Sequence, residues 1–449
     1  MKLSIPPRVG ALTKIAMPCF LEQLLLVVVN VLSTMIVGQL GKAELSASSM
    51  SNQLVNWLQC AYVGLGAGAT VVIGRMWGTG DKEGAARGFM QSLKLTIAVS
   101  LGVLLLTVVF EGAIVSLFFG GAEQAVLDNI HTYFFFCMIG MPATAVANVI
   151  GASLRGVGDN KTPLYTTAVL NVVNLILSFL LIFGVPSLGI PKMGIAGAGI
   201  AISSARVVSA VFIVIYVIVK KKPILPKRYE FGFHKETIKR VTNVGVPSAV
   251  EQIVFQGGFV ILQTLLIGFG TEFQAGYQIG ANLNNIICAP SAAMGVACTA
   301  LISQTLGKRD WEGAKAYVKA ANFIIYTVFT GISVLMFFCA PLFASMYSTD
   351  PAVIGEGTFF ARMFALMALP IGLMQAMSGI LRGAGDAKYI AVTNVIGLWG
   401  MRVFGVWLIS VLTGNGYLAV VLGCGSDFLW RAISYALRVR RGNWLHIRV

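Results

Sequence analysis

Apolar runs long enough to cross a membrane follow one another along the whole chain, separated by short polar breaks. Twelve can be delimited, roughly at 12–36, 46–74, 89–110, 127–151, 164–184, 196–219, 241–267, 274–303, 318–341, 357–381, 389–412 and 417–437, many of them near the ~20 residues that span a bilayer as a helix. The pattern predicts an all-α polytopic membrane protein with twelve transmembrane helices. Inside some runs polar residues recur at helical spacing. Glu22, Asn30 and Ser33 share one face of the first, and Gln252, Gln256 and Gln263 follow Glu251 in the seventh. A polar stripe on an otherwise apolar helix faces protein or a cavity, not lipid.

The pattern is also a duplication. Shifted by 229 positions, the first half lies on the second without a gap for about seventy residues. Pro18 meets Pro247, Glu22 meets Glu251, Asn56 meets Asn285, and Gly66, Thr70 and Gly78 meet Gly295, Thr299 and Gly307. The break GTGDKEGA meets GKRDWEGA, and at a shift of 227 LRGVGD, Leu154 to Asp159, meets LRGAGD, Leu381 to Asp386. Matches in such order mark an internal repeat. Six runs per copy return the chain to its starting side, which predicts two six-helix lobes related by a pseudo-two-fold axis along the membrane normal. The expected organisation is an N-lobe at 1–219, a basic cytoplasmic linker at 220–240 and a C-lobe at 241–449. Twinned bundles around a cavity are the architecture of a carrier that opens alternately to each side.

Composition agrees: 57% of residues are hydrophobic and only 11% charged, against about 25% charged in soluble domains. The net charge of +15 therefore does not argue for a nucleic-acid partner. Its placement sets orientation instead. With the N-terminus inside, the cytoplasmic segments and helix ends hold 27 of the 33 lysines and arginines, two (Lys42 and Lys192) fall outside, and four (Arg206, Arg362, Arg402 and Arg431) lie well within runs. Basic residues mark the cytoplasmic face, so both termini are expected there. The first run lacks a cleavage pattern and leads straight into further spans, unlike a removable signal. The seven cysteines form no CxxC pair and read as apolar fillers, and the three histidines are far apart. No Walker motif is present, so ATP is not expected to drive this chain. No enzyme activity, metal or organic cofactor is expected.

Three acids lie inside runs away from their ends: Glu22, Glu251 and Asp427. Asp427 and Arg431 are four apart, the spacing of an ion pair on one helix face. Glu22 and Glu251 have no basic neighbour in sequence and, counted from the start of their runs, fall near the bilayer midplane. Pro18 and Pro247 stand one turn before them, where a proline frees backbone carbonyls or makes a hinge. A carboxyl that is neutral when shielded and charged when a cavity admits water can carry a proton, and with amide neighbours it can hold Na+. Glu22 and Glu251 are thus the candidate cation-coupling residues. The cavity is expected to be lined by Asn30, Ser33, Asn52, Asn56, Asn174, Gln252, Gln256, Tyr277, Gln278, Asn282 and Asn285. With aromatics and methionines nearby, that lining suits an amphipathic, often cationic solute. The glycines of the repeated breaks are expected to make tight reversals, Arg155 and Arg382 to fasten the cytoplasmic interface, and Asp159 and Asp386 to cap the following helices.

With VLSTMIVGQLGKAEL, the paired PxxxEQ stretches, both LRGxGD breaks and AGYQIGANLNNI, the sequence resembles the multidrug and toxic compound extrusion (MATE) family over nearly its whole length. The resemblance implies twelve helices in two lobes and efflux of small organic molecules against H+ or Na+, without ATP. It also implies a monomer among membrane lipids, spanning a prokaryotic inner membrane many times. One stretch departs from the family. Where many relatives carry Asp in D-T-x-x-x-G, this chain has STMIVG, with Ser33 in the place of the acid, and Ser178 replaces an expected asparagine. Coupling is then expected to rest on Glu22 or Glu251. Two other readings stay open on sequence: a flippase for a lipid-linked precursor, with arginines facing the cavity, and a non-transporting membrane sensor or scaffold.

Overall fold

The computed structural model describes residues 6, 8–119, 123–185, 189, 191–226, 232–347 and 350–447. Residues 227–231 of the basic connector lie outside the described residues. The described chain is helical almost throughout. The helices are α1 (Val9–Gly38), α2 (Lys42–Gly78), α3 (Lys82–Val109), α4 (Glu111–Phe119), α5 (Gln124–Ile139), α6 (Met141–Gly156), α7 (Lys161–Phe183), α8 (Gly194–Val219), α9 (Lys235–Ile267), α10 (Thr271–Gly307), α11 (Trp311–Ile324), α12 (Thr330–Ser345), α13 (Pro351–Leu366), α14 (Ala368–Ala384), α15 (Ala387–Val395), α16 (Phe404–Thr413) and α17 (Gly416–Arg441).

With the short α4 left aside, these make twelve rods, the number the apolar runs predict. The pairs α5–α6 and α13–α14 bend by 45° and 46° and are each counted as one bent rod. Two π-helical segments, Ile325–Phe329 and Ile396–Val403, join α11 to α12 and α15 to α16. The last rod, α17, is less apolar than the others because it carries Asp427 and Arg431 inside and Arg438, Arg440 and Arg441 in its final turn.

The chain forms two compact units: residues 21–249, and residues 1–20 with 250–449. Both divisions fall inside a helix, α1 and α9, just after Pro18 and Pro247. A proline inside a helix removes one backbone hydrogen bond and weakens continuity there, so the duplicated prolines mark duplicated boundaries. The core of the first unit gathers Tyr62, Phe134, Met138 and Ile182, with a second cluster around Ile73, Phe89 and Leu154. That of the second is built on Tyr277, Phe360, Phe364 and Tyr435, and also takes in Leu12 and Ala16 of α1.

Within each unit the repeated motifs perform the same packing. Thr70 donates to the carbonyl of Ala152 at 2.8 Å, and Thr299 to that of Gly379 at 3.0 Å. A Cβ on Gly156 would come within 2.9 Å of the Thr70 carbonyl oxygen, and one on Gly383 within 2.7 Å of that of Thr299. The first glycine of LRGxGD is therefore a site of close helix approach, not the reversal expected of it. The reversal belongs to the second glycine: Gly158 and Gly385 have φ of 92° and 90°. Asp81 and Asp310 cap α3 and α11 by accepting from Gly84 and Gly313 at 2.7 and 2.8 Å.

Candidate functional site

In the first unit, α1 carries Glu22, whose side chain is buried. Arg155, in the last turn of α6, donates to its Oε1 at 2.7 Å, and Thr167 of α7 donates to the same atom at 3.3 Å. In the second unit, Glu251 of α9 is equally buried. Arg382, in the last turn of α14, donates to its two oxygens at 3.1 and 3.0 Å, and the amide of Asn394 donates to Oε1 at 2.6 Å. Each LRGxGD arginine thus neutralises the carboxylate of its own half.

This extends one expectation and corrects another. The carboxylates, which have no basic neighbour in sequence, have basic partners more than a hundred residues away. Glu22 and Glu251 lie near the middle of α1 and α9, which run Val9–Gly38 and Lys235–Ile267. The arginines are not confined to the interface, since their guanidinium groups turn inward.

The aspartates of the same motif bind the last rod region of each half. Asp159 accepts from Lys222 at 2.6 Å and from the backbone and hydroxyl of Thr162 at 3.1 and 2.7 Å. Asp386 accepts from Arg438 at 2.9 Å and makes no capping hydrogen bond, contrary to expectation. Burial pushes the Asp159 carboxyl up, but Lys222 and Thr162 together outweigh it and hold the group below its ordinary value.

The interiors of the two units differ. In the first, the amide of Asn174 donates to the Ser33 hydroxyl at 3.1 Å, and Ser178 donates to the Asn174 oxygen at 3.4 Å. The two positions that depart from the family pattern therefore meet in one cluster, which holds no charge. The same unit also buries Arg206, which donates to the carbonyl of Cys137 at 2.9 Å. In the second unit Asp427 is fully buried and pairs with Arg431 at 2.5 Å, as its spacing predicts, and also with Arg402 at 2.6 Å from the π-helical segment. Arg431 continues to the oxygen of Asn394 at 3.3 Å, where Tyr435 also donates at 2.8 Å. Arg382, Glu251, Asn394, Arg431, Asp427 and Arg402 thus form one connected network. Arg362 is exposed and stands over the Phe337 ring at 5.3 Å.

Of the expected cavity residues, Asn30, Asn52, Asn56, Gln278 and Asn285 are exposed, and Gln252, Gln256 and Asn282 are half-buried. Asn52 accepts weakly from Tyr133, and Gln278 from Gln263, both at 3.4 Å. Tyr277 is a correction: it is only 1% exposed and packs edge-on against Phe360 and Phe364, so it belongs to the core. Sequence reasoning missed Thr167, Asn394 and Tyr435, which are ordinary polar residues in apolar runs. It also missed the Glu–Arg pairing, although the duplication of both members was a usable signal.

The profile of the MatE family matches residues 18–180 and 247–408, one block in each half. The chain belongs to the MATE family. It is accordingly a membrane transporter of the multidrug and toxic compound extrusion class. Among its relatives, the "Probable multidrug resistance protein NorM" of Thermotoga maritima is 26% identical, with 99% of this chain and 94% of the relative covered. The "FAD transporter" of Shewanella oneidensis is 24% identical over 83% of this chain and 79% of its own. Among solved structures, a MOP superfamily transporter from Pyrococcus furiosus, described with a reversed polarity of its binding pocket, superposes with a TM-score of 0.89. It shares 21% identity and covers 98% of this chain and 97% of its own. For a MATE family chain, the first helix with its proline and the paired LRGxGD breaks are the parts the two profile blocks share.

Proposed function

We propose that this transporter exports amphipathic organic compounds in exchange for H+ or Na+, and that Glu251 is its coupling carboxylate with Glu22 as the counterpart in the other half. The observation that carries this reading is the duplicated buried pair, Glu22 with Arg155 and Glu251 with Arg382. A buried carboxylate bound to a guanidinium is held by charge attraction that is strong in a poorly polarisable interior. A proton or Na+ arriving on the carboxylate removes that attraction, frees the arginine and loosens the first helix of the half at its proline. Coupling of this kind is a difference in ion affinity between two conformations. The cavity polar residues, Asn30, Ser33, Asn52, Asn56, Asn174, Gln252, Gln256, Gln278, Asn282 and Asn285, are proposed to contact the solute or the ion.

The test is transport by the purified protein in proteoliposomes, driven in turn by a pH gradient and a Na+ gradient. Glu251→Gln keeps size and hydrogen bonding. It is expected to bind substrate but to lose gradient-driven transport by at least about tenfold, a loss of ~1.4 kcal/mol of coupling. Glu22→Gln is expected to fall less, because its carboxylate has no link to a second acid. Full gradient-driven transport by E251Q would sink the assignment.

A second reading concerns the charge of the solute. In each half the arginines of the interior clusters outnumber the carboxylates by one: Arg155 and Arg206 against Glu22, and Arg382, Arg402 and Arg431 against Glu251 and Asp427. An interior with excess positive charge favours an anionic compound over the cationic one that the sequence pointed to. The FAD transporter of Shewanella oneidensis and the reversed pocket of the Pyrococcus furiosus protein are in line with this alternative. Parallel assays with a cationic dye and an anionic flavin separate the two, and the preferred solute decides.

A further inference from the structure

A cavity of about 800 Å³ opens within the first unit, between the start of α3 and the segment that follows α8. Among the described lining residues, its rim carries Lys82, Arg87, Lys221 and Lys222 against one acid, Glu83, and its walls include Met90 and Leu225. Lys222 is committed to Asp159 at 2.6 Å, and Lys82 stands over the Trp77 ring at 5.9 Å. Gln91 lines the inner wall and is only 1% exposed. Its amide nitrogen donates to the carbonyl of Gly232 at 2.8 Å. A carbonyl can only accept, so this contact fixes which way the amide lies. The Gln91 oxygen is left buried and without a donor, which costs free energy unless a ligand supplies one.

We propose that this cavity binds a phosphate ester of a small polyol, with Lys82 and Lys221 on the phosphate and the Gln91 oxygen accepting from a hydroxyl beside it. The basic rim selects an anion. The buried acceptor asks for a hydroxyl donor, which a choline headgroup lacks. No aromatic side chain stands among the described lining residues, so the site has no platform for stacking a nucleotide base. The volume suits a small organic group, since ligand cavities run to about 300–1,000 Å³. The same chemistry occurs in the glycerol phosphate headgroup of phosphatidylglycerol and in soluble glycerol phosphate. The basic side chains mark the cavity as cytoplasmic in the proposed orientation, where either source is available.

The experiment is thermal unfolding of the full chain in a neutral detergent, titrated with dihexanoyl phosphatidylglycerol, with glycerol 3-phosphate, and with dihexanoyl phosphatidylcholine. The expected result is a saturable rise in Tm with a glycerol phosphate ligand, at a midpoint at least about tenfold below that of the choline lipid. A response to the lipid alone assigns the membrane as the source, and an equal response to glycerol 3-phosphate assigns the soluble ester. The variant K82Q/K221Q changes two rim residues and is expected to keep the unliganded Tm while raising the midpoint about tenfold. Propyl phosphate, which lacks the hydroxyls, is expected to bind about tenfold more weakly than glycerol 3-phosphate and reads the Gln91 contact without altering the core. Equal responses to the glycerol and choline lipids, or an unchanged midpoint in K82Q/K221Q, would overturn the proposal. Equal binding of propyl phosphate and glycerol 3-phosphate would remove the role of Gln91 and with it the polyol assignment.

Discussion

The two halves keep the same fastener and differ in what lies behind it. In both, an LRGxGD arginine holds the carboxylate of the first helix, its first glycine lets two helices touch, and its aspartate holds a base at the end of the sixth rod or just after it. In the first half, the fifth rod then offers only Asn174 and Ser178 to Ser33, a neutral cluster. In the second, the fifth rod widens into a π-helical segment and presents Arg402 to Asp427, tying it through Arg431 and Asn394 to Glu251. Extra residues in a helical turn are common at functional positions. Duplication preserved the part that both copies need to assemble, and the interiors diverged. The asymmetry between the halves is therefore to be sought behind the fasteners.

The largest effect expected from this difference is in the second half. Asp427→Asn leaves Arg402 and Arg431 buried together without their shared counter-charge. Removing one partner of a buried ion pair costs about 3–5 kcal/mol. The protein is expected to lose most of its stability, read as a steep drop in Tm or in yield from the membrane. In the first half, Asn174→Ala removes only neutral hydrogen bonds and is expected to cost about 1 kcal/mol. Equal losses would erase the distinction between the two interiors.

The same contrast explains what was legible in the sequence. Twelve rods, the two-fold repeat and the Asp427–Arg431 pair could be read, because they rest on hydropathy, on self-similarity and on a four-residue spacing that one helix enforces. The carboxylate–arginine pairs could not, because Glu22 of α1 and Arg155 of α6 meet only in the folded chain, and no local rule brings Asn394 of α15 to Glu251 of α9. Tyr277 was placed in a cavity because a tyrosine in a polar-rich run looks amphipathic, and only the positions of Phe360 and Phe364 show that its ring fills the core.

A middle-sized effect is expected from giving the first half the charge it lacks. Ser33→Asp would set a carboxylate beside the Asn174 amide, which now lies 3.1 Å from the Ser33 hydroxyl. Stabilisation of that carboxylate by the amide makes it a proton or Na+ acceptor in the same unit as Glu22. The apparent affinity for a cationic substrate is expected to change little, while the pH dependence of transport shifts. An unchanged pH profile in a folded, active S33D protein would count against a cation site at this position.

The smallest effect separates the two fasteners themselves. Asp159 both pairs with Lys222 and caps the start of α7 through Thr162, whereas Asp386 only pairs with Arg438. Burial raises the proton affinity of the Asp159 carboxyl, and Lys222 with Thr162 more than reverse this, so the group sits below its ordinary 3.8 in the folded protein. A carboxyl depressed on folding binds protons more readily in the unfolded chain. Its stabilisation is therefore complete above the unfolded value and is lost as pH falls through the folded one. Asp159→Asn should cost about 1 kcal/mol near neutral pH, as a partly buried pair with capping bonds does. The stability gap between the wild-type protein and D159N, measured by unfolding in detergent, should hold from neutral pH down to about pH 4 and close as the medium becomes more acid. A gap that stayed constant through this range would mean that Lys222 does not hold the charge, and that the cap alone fixes this corner of the first half.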